Sequence, residues 1–304
     1  MAQTMGTSAF ELAGPSAPRQ AVTSVQDFFS AMRRNRAGFI GFIALSVIIL
    51  VALIGPFLVP QTLQTDVRAI YEPPSSRHLL GTDSEGRDVL IQVIAGGQSI
   101  ILVGFLAAGI STLIAIVFGS LAAYVGGLVD SVVMMLTDIV LTIPQIALLA
   151  VLASFIKLNS PWLLAGLIAL LAWPTLLRAV RAQVLSLKER EYVEAARVLD
   201  LGTSRIVFYE ILPTMASFIL MNFTIGMTDA IYAQVGLYLL GLAPLAGQNW
   251  GIMLNFAWVR GAIFFKNSLL YILAPVMAIA LLQLALVMTT RSLEDIFNPR
   301  LREG

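Results

Sequence analysis

Cysteine is absent from the 304 residues, histidine occurs once and lysine three times. The first absence excludes disulfides, thiolate metal sites and cysteine nucleophiles. A single histidine leaves His-based zinc sites and Ser-His-Asp triads almost nothing to draw on. None of the lysines (Lys157, Lys188, Lys266) follows a glycine, so there is no Gly-x-x-x-x-Gly-Lys phosphate loop. Charge is scarce too: Asp, Glu, Lys and Arg make up 12% of the chain, where a soluble domain carries roughly 25%. A net charge of +1 provides no field for nucleic acid. What remains is apolar, 58% of residues with a mean hydropathy of +0.86. That composition excludes both a soluble globular protein and a disordered one.

A bilayer core asks for about 20 consecutive apolar residues. Uncharged runs cover Ala37–Thr65, Val89–Val129, Ile139–Ile156, Leu158–Leu177, Ile211–Thr228 and Asn267–Thr290. They predict six membrane helices near 38–59, 98–124, 131–155, 161–180, 213–235 and 268–290. The run from Val89 is too long for one span, so part of it is read as loop. The predicted layout is an N-terminal tail (1–36), a first transmembrane helix (37–60), an outer loop (61–97), a five-helix core (98–290) and a C-terminal tail (291–304). Arg33, Arg34 and Arg36 precede the first helix, Arg178, Arg181, Lys188, Arg190, Arg197 and Arg205 separate the fourth from the fifth, and Arg291, Arg300 and Arg302 follow the sixth. Positive residues mark the inner side, which puts both termini in the cytoplasm. Residues 1–22 read as disordered, and Ser24–Arg36 reads as an interfacial helix with Val25, Phe28, Phe29 and Met32 on one face. The first span is too long for a signal peptide and reads as an uncleaved anchor.

Within the spans, Ala107, Ser111, Ala115, Gly119 and Ala123 place a small residue at every fourth position. Such a row admits a close neighbour, from the same chain or from another subunit. Pro144 predicts a kink in the third helix. Asp138 and Asp229 lie in or near the membrane, where acids face a cavity or a partner. No paired charge ladder of the kind an ion relay needs is visible.

The segment 186–213 reads as structured. Ser186-Leu-Lys-Glu189 has the form of a capping box, which opens a helix. Val193, Ala196 and Leu199 follow at helical spacing, with Ala195 and Leu201 beside them. Gly202 reads as the stop, Thr203 as the cap of a second short helix, and Leu212-Pro213 as the start of the fifth span. A short amphipathic helix would thus lie along the cytoplasmic side, showing Glu191, Glu194, Ala195, Ala196 and Arg197. It suits insertion into a groove on a soluble partner or, alternatively, a resting place on lipid headgroups.

Glu194-Ala195-Ala196, followed at fixed distance by Leu212-Pro213, resembles the loop Glu-Ala-Ala-x3-Gly-x9-Ile-x-Leu-Pro of ABC importer permeases. Asp200 stands in the Gly position and Glu210 in the Ile position, and Gly202 is read as the substitute turn. His78-Leu-Leu-Gly81-Thr82-Asp83-Ser-Glu-Gly86-Arg87-Asp88 resembles the outer-loop signature of the dipeptide, oligopeptide and nickel permeases, in the subunit labelled C. Tyr124-Val-Gly126-Gly127, Ile143-Pro144, Leu240-Gly241-Leu242, Asn249-Trp250-Gly251 and Asn298-Pro299-Arg300-Leu301 fit in order, while Gln98, Ile100 and Gln234 depart.

The resemblance implies an all-α polytopic membrane protein of the type I ABC importer fold, with six transmembrane helices and a cytoplasmic coupling helix. It implies a permease subunit of an ATP-driven, binding-protein-dependent importer of short peptides or a related small solute, in a prokaryotic plasma membrane. Its partners would be a second homologous permease, two ATP-binding cassette subunits and an extracytoplasmic solute-binding protein. ATP and Mg would be bound by the ATPases, leaving this chain no cofactor and no bond chemistry. Coupling would fall to Glu191, Glu194, Ala195, Ala196, Arg197, Leu199, Asp200, Gly202, Leu212 and Pro213. Docking of the binding protein would fall to His78, Gly81, Thr82, Asp83, Gly86, Arg87 and Asp88. A metal reading of His78, Asp83, Glu85 and Asp88 competes with a brace in which Asp83, Glu85, Arg87 and Asp88 pair with one another; the brace is preferred. Other classes that fit the composition are an ion-coupled secondary transporter and a channel subunit.

Overall fold

The computed structural model describes residues 32, 35–59, 65–156, 158–245 and 247–297, the side chains of 294–297 excepted. The expected 1–22 tail, most of the expected interfacial helix at 24–36 and the segment Asn298–Leu301 lie outside it.

The described residues form helices and no strand. They are α1 (Arg36–Leu58), α2 (Val89–Val125), α3 (Gly127–Thr142), α4 (Gln145–Phe155), α5 (Pro161–Leu187), α6 (Glu191–Val198), α7 (Thr203–Thr214), α8 (Ala216–Leu239), α9 (Trp250–Val259) and α10 (Leu269–Phe297). Residues Ile206–Ile211 within α7 are wound as a π-helix. Four helices are long and apolar enough to cross a bilayer, and the bent pairs α3–α4 and α7–α8 bring the number to six when each is counted as one span.

Several boundaries differ from the sequence expectation for identifiable reasons. The Asp88 carboxylate accepts the Ile91 N–H at 3.0 Å, so α2 starts at Val89 and runs unbroken for 37 residues. The outer loop therefore ends at 88 rather than 97. Pro144 does more than kink its span. It forces Ile143 into an extended conformation, ends α3 and caps α4, with an 86° bend between them. The chain again turns by 76° at Met215, so the fifth span starts at Ala216 and Leu212-Pro213 belongs to the short helix before it. The sixth continues past 290 to Phe297.

The centre of the molecule is the seam between α2 and α5. Ala107, Ser111, Ala115, Gly119 and Ala123 are all buried there. A Cβ on Gly119 would lie 3.0 Å from the Leu177 carbonyl oxygen, so α5 backbone occupies the groove that the small residues leave. The row thus serves packing within the chain. Apolar clusters on either side of the seam join α2 and α5 to α4 and α8, and to α6 and α7. Between α8 and α10, where burial of apolar surface gives no drive inside lipid, hydroxyls act as glue. Thr228 donates to Gln283 Oε1 at 2.7 Å and Thr290 donates to Thr224 Oγ1 at 2.8 Å.

Helix α1 is largely exposed and packs closely on α10 through Gly38 and Gly41, and on α2 through Ala52 and Gly55. An added Cβ at Gly41 would sit 2.4 Å from the Met288 Cβ, and one at Gly38 would sit 2.0 Å from the Ser292 Cβ. Gly41→Leu is therefore expected to lever α1 off α10 and destabilise the protein by about 1–3 kcal/mol, the usual range for overpacking. A lowered melting temperature in detergent checks it.

Candidate functional site: an exposed helix, a braced loop and a cavity

At one end of the α2–α5 seam sits α6. Its residues divide between two environments: Val193 and Ala196 are buried among Leu177, Val180, Val184, Ile206 and Ile211, whereas Glu191, Glu194, Ala195, Arg197, Val198 and the following Leu199 are exposed. Val198 and Leu199 are 82% and 73% accessible, unusual for two adjacent apolar side chains. The expectation that Ala195 and Ala196 face outward together is corrected: only Ala195 does, and Ala196 is a core residue.

The start and stop of α6 also differ from the reading of the sequence. Ser186 is no cap, because α5 continues through it and the Lys188 N–H still donates to the Val184 carbonyl at 2.9 Å. The stop is not Gly202. The Leu201 N–H donates to the Ala196 carbonyl and the Asp200 N–H to the Arg197 carbonyl, at 3.1 and 2.9 Å. These are the two bonds of a Schellman motif, which demands a left-handed residue between them. Asp200 supplies it at φ +54°. Gly202 has an ordinary φ of −59° and precedes α7, in which Thr203 is the first residue rather than the cap. The position that the family pattern gives to Gly is thus the left-handed one, and Asp occupies it because its short polar side chain tolerates that region better than most.

Polar contacts tie the surrounding helix ends to this platform. Lys188 Nζ donates to the Ala123 carbonyl at 3.2 Å, placing a cation on the C-terminal turn of α2. The Arg197 guanidinium lies 5.3 Å from the centre of the Tyr124 ring. Arg181 grips Asp130 with two bonds of 2.5 and 2.6 Å, and Arg178 pairs with Asp138, so α3 is strapped to α5. Sequence reasoning used these arginines only for orientation. The spacing carried a signal: Arg178 and Arg181 lie one turn apart on α5, and Asp138 and Asp130 lie two turns apart on one face of α3.

At the opposite end of α2, residues 65–88 fold into a loop built around Asp83. Its fully buried carboxylate accepts the Glu85 and Arg87 N–H groups at 2.8 and 2.9 Å, Arg87 Nε at 2.7 Å and Gln92 Nε2 at 2.9 Å. Thr82, also buried, accepts the Glu72 N–H and donates to the Ala69 carbonyl. His78 Nδ1 lies 2.9 Å from Asp88, the residue that caps α2. Gly86 has φ +74°, and a Cβ there would meet the Asp66 carbonyl oxygen at 1.8 Å; Gly81 shares that φ. Arg87 also reaches Glu85 at 3.2 Å and packs over Phe256 of α9, while Glu85 pairs with Arg260. The brace expected among these charges forms from Asp83, Glu85 and Arg87 and clamps the loop to α9, while Asp88 stays out of it, pairing with His78 and capping α2 instead. Among the described residues no group of three or more His, Asp or Glu is arranged to hold a metal.

The motif Asn249-Trp250-Gly251 turns out to pin α9 to the start of α2. Asn249 caps α9 through the Gly251 N–H at 2.8 Å, and the Trp250 indole N–H donates to the Val93 carbonyl at 2.8 Å beside Gly96. Gln234, one of the departures from the family pattern, is fully buried, and neither end of its amide has a partner among the described residues.

Between the α3–α4 break and α8 lies a cavity of about 320 Å³ lined by Gln145, Ile146, Leu149, Asp229, Tyr232, Ala233, Gly236, Leu237 and Leu240. Its rim residues Ile146 and Tyr232 are exposed.

Residues 115–303 match the family model described as binding-protein-dependent transport system inner membrane component, and residues 23–74 match the N-terminal transmembrane domain of oligopeptide transport permease C. The chain is 34% identical over 269 residues to a provisionally named peptide permease protein of Brucella suis, covering 88% of each. It is 31% identical over 301 residues to a dipeptide transport system permease protein of Bacillus subtilis, covering 94% of this chain and 89% of the relative. The corresponding Haemophilus influenzae protein is 30% identical over 289 residues, covering 92% and 96%. The chain belongs to the family of inner membrane components of binding-protein-dependent transport systems.

Two expectations follow from the geometry. Asp200→Gly relieves the left-handed strain, so α6 is expected to become more stable by up to about 1 kcal/mol, whereas Asp200→Val loosens it; amide hydrogen exchange across 193–202 reads both. Asp83→Ala strands Arg87 and the loop N–H groups, at a cost of about 3 kcal/mol for a broken buried pair. Faster proteolysis within 65–88 is the measurement.

Proposed function

We propose that this chain is one permease half of an ATP-driven importer that receives short peptides from an external binding protein. The observation that carries the reading is α6: one face is sewn into the α2–α5 core and the other offers Glu191, Glu194, Ala195, Val198 and Leu199 to a partner. Membership of a binding-protein-dependent family and relatives named as peptide permeases support it.

In this reading the α6 face is cytoplasmic, as are both termini, and two ATPase subunits that carry ATP and Mg dock there. Burying Val198 and Leu199 against an ATPase contributes roughly 1.5–3 kcal/mol each. Motion of the ATPases on nucleotide binding passes through Val193 and Ala196 into α2 and α5, because these side chains leave no slack. The braced loop meets the binding protein on the outer side. A second, homologous permease covers the open face of α4 and α8, since a carboxylate such as Asp229 facing lipid costs roughly 2.5–3.5 kcal/mol. Substrate can bias the inward and outward states only through unequal affinity for them.

Paired tryptophan variants separate docking from packing. Ala195→Trp is expected to abolish ATP-dependent peptide uptake in proteoliposomes while the permease keeps its melting temperature. Ala196→Trp is expected to lower the melting temperature by overfilling the core. Wild-type uptake in Ala195→Trp would overturn the docking role of α6.

A further inference from the structure

Asp229 is the fourteenth residue of α8, which places it about 20 Å along the helix axis from Ala216 and close to mid-membrane. Among the described residues no Lys, Arg or His pairs with it, and none of them donates a hydrogen bond to it. It does not face the packed interior, where Ala230 and Ile231 point. It faces the cavity behind the Pro144 break, where Tyr232 and Gln145 are the other polar side chains and the remaining walls are apolar. The two acids of α3, Asp130 and Asp138, are already paired with Arg181 and Arg178. Asp229 alone is left open, within a space large enough for a small organic group and its waters.

A carboxylate at this depth is stable only when its charge is answered. We propose that the cavity is a transit site for an organic ammonium group, held by Asp229 over the Tyr232 ring with Gln145 as a neutral hydrogen-bonding neighbour. A primary ammonium brings three donors for the carboxylate and a charge for the aromatic face. The apolar remainder of the cavity, Ile146, Leu149 and Leu237, suits the aliphatic part of the same molecule. This deepens the peptide-import reading and rests on it: the amino terminus of a short peptide is such a group. The site explains how a largely apolar bundle passes a charged solute without a charge ladder.

The test uses the complete purified transporter in nanodiscs and a hydrophobic carbodiimide, which labels intramembrane carboxyls, with modification of Asp229 read by mass spectrometry. Alanyl-alanine amide, which carries an ammonium and no carboxylate, is expected at millimolar concentration to slow labelling at least fivefold. N-acetyl-alanyl-alanine amide, neutral and otherwise alike, is expected to leave the rate unchanged. Asp229→Asn is expected to cut peptide uptake tenfold or more at unchanged melting temperature, with Asp229→Glu recovering part of it. Equal protection by both amides, or by neither, overturns the proposal. A wild-type complex that shows no ATP- and binding-protein-dependent peptide uptake overturns the import reading instead, so the two failures are distinct.

Discussion

The close contact of α2 with α5 is the constraint on which the other elements lean. It exists because five small residues repeat along α2 and let the backbone of α5 into the groove, so that even a methyl group on Gly119 would crowd the Leu177 carbonyl. In lipid there is little hydrophobic drive to bring helices together, and short-range packing must supply the attraction. Each larger side chain on that row would push α5 outward. The platform for α6 would move with it, because Val193 and Ala196 are packed against the α5 residues Leu177, Val180 and Val184. The same displacement would pull Arg178 and Arg181 from their acids on α3. Seam, platform and strap are one mechanical unit.

Charge is used sparingly and near the ends. Asp83 gathers four donors to set a loop, Asp88 starts a helix and Lys188 finishes one. Each is a local arrangement that satisfies groups otherwise left bare at a helix terminus or turn. Along the spans, hydroxyl pairs such as Thr290–Thr224 replace ions. Against that economy an acid in the middle of α8 with no ion-pair partner among the described residues, and an amide on the same helix whose nitrogen and oxygen are both buried with no partner among them, stand out as the places where packing was not the governing requirement.

Helix number and order could be read from the uncharged runs, and the brace around Asp83 from the alternation of acids with Arg87. What could not be read has a common cause. The left-handed turn at Asp200 was hidden because a non-glycine residue fills it, and Gly202 offered a more conventional stop. Ser186 and Glu189 matched a capping pattern, yet packing of Val184 on the core carries α5 past them. The inward face of Ala196, the hold of Trp250 on Val93 and the grip of Lys188 on the end of α2 join residues that are distant in sequence. Periodicity reports which residues share a face of a helix and not which of two faces meets the neighbour.

The length of α2 has a mechanical meaning. Thirty-seven residues make a rod of about 55 Å, longer than the roughly 40–45 Å of a bilayer with its headgroups. Its first turns touch Trp250 beneath the braced loop, and its last turn touches Lys188 and Arg197 beside α6. Tilted about its middle, a beam of this length would turn a small rotation at one end into an opposite displacement at the other, so that the braced loop and α6 could exchange news along a single rod without any ion having to cross the membrane.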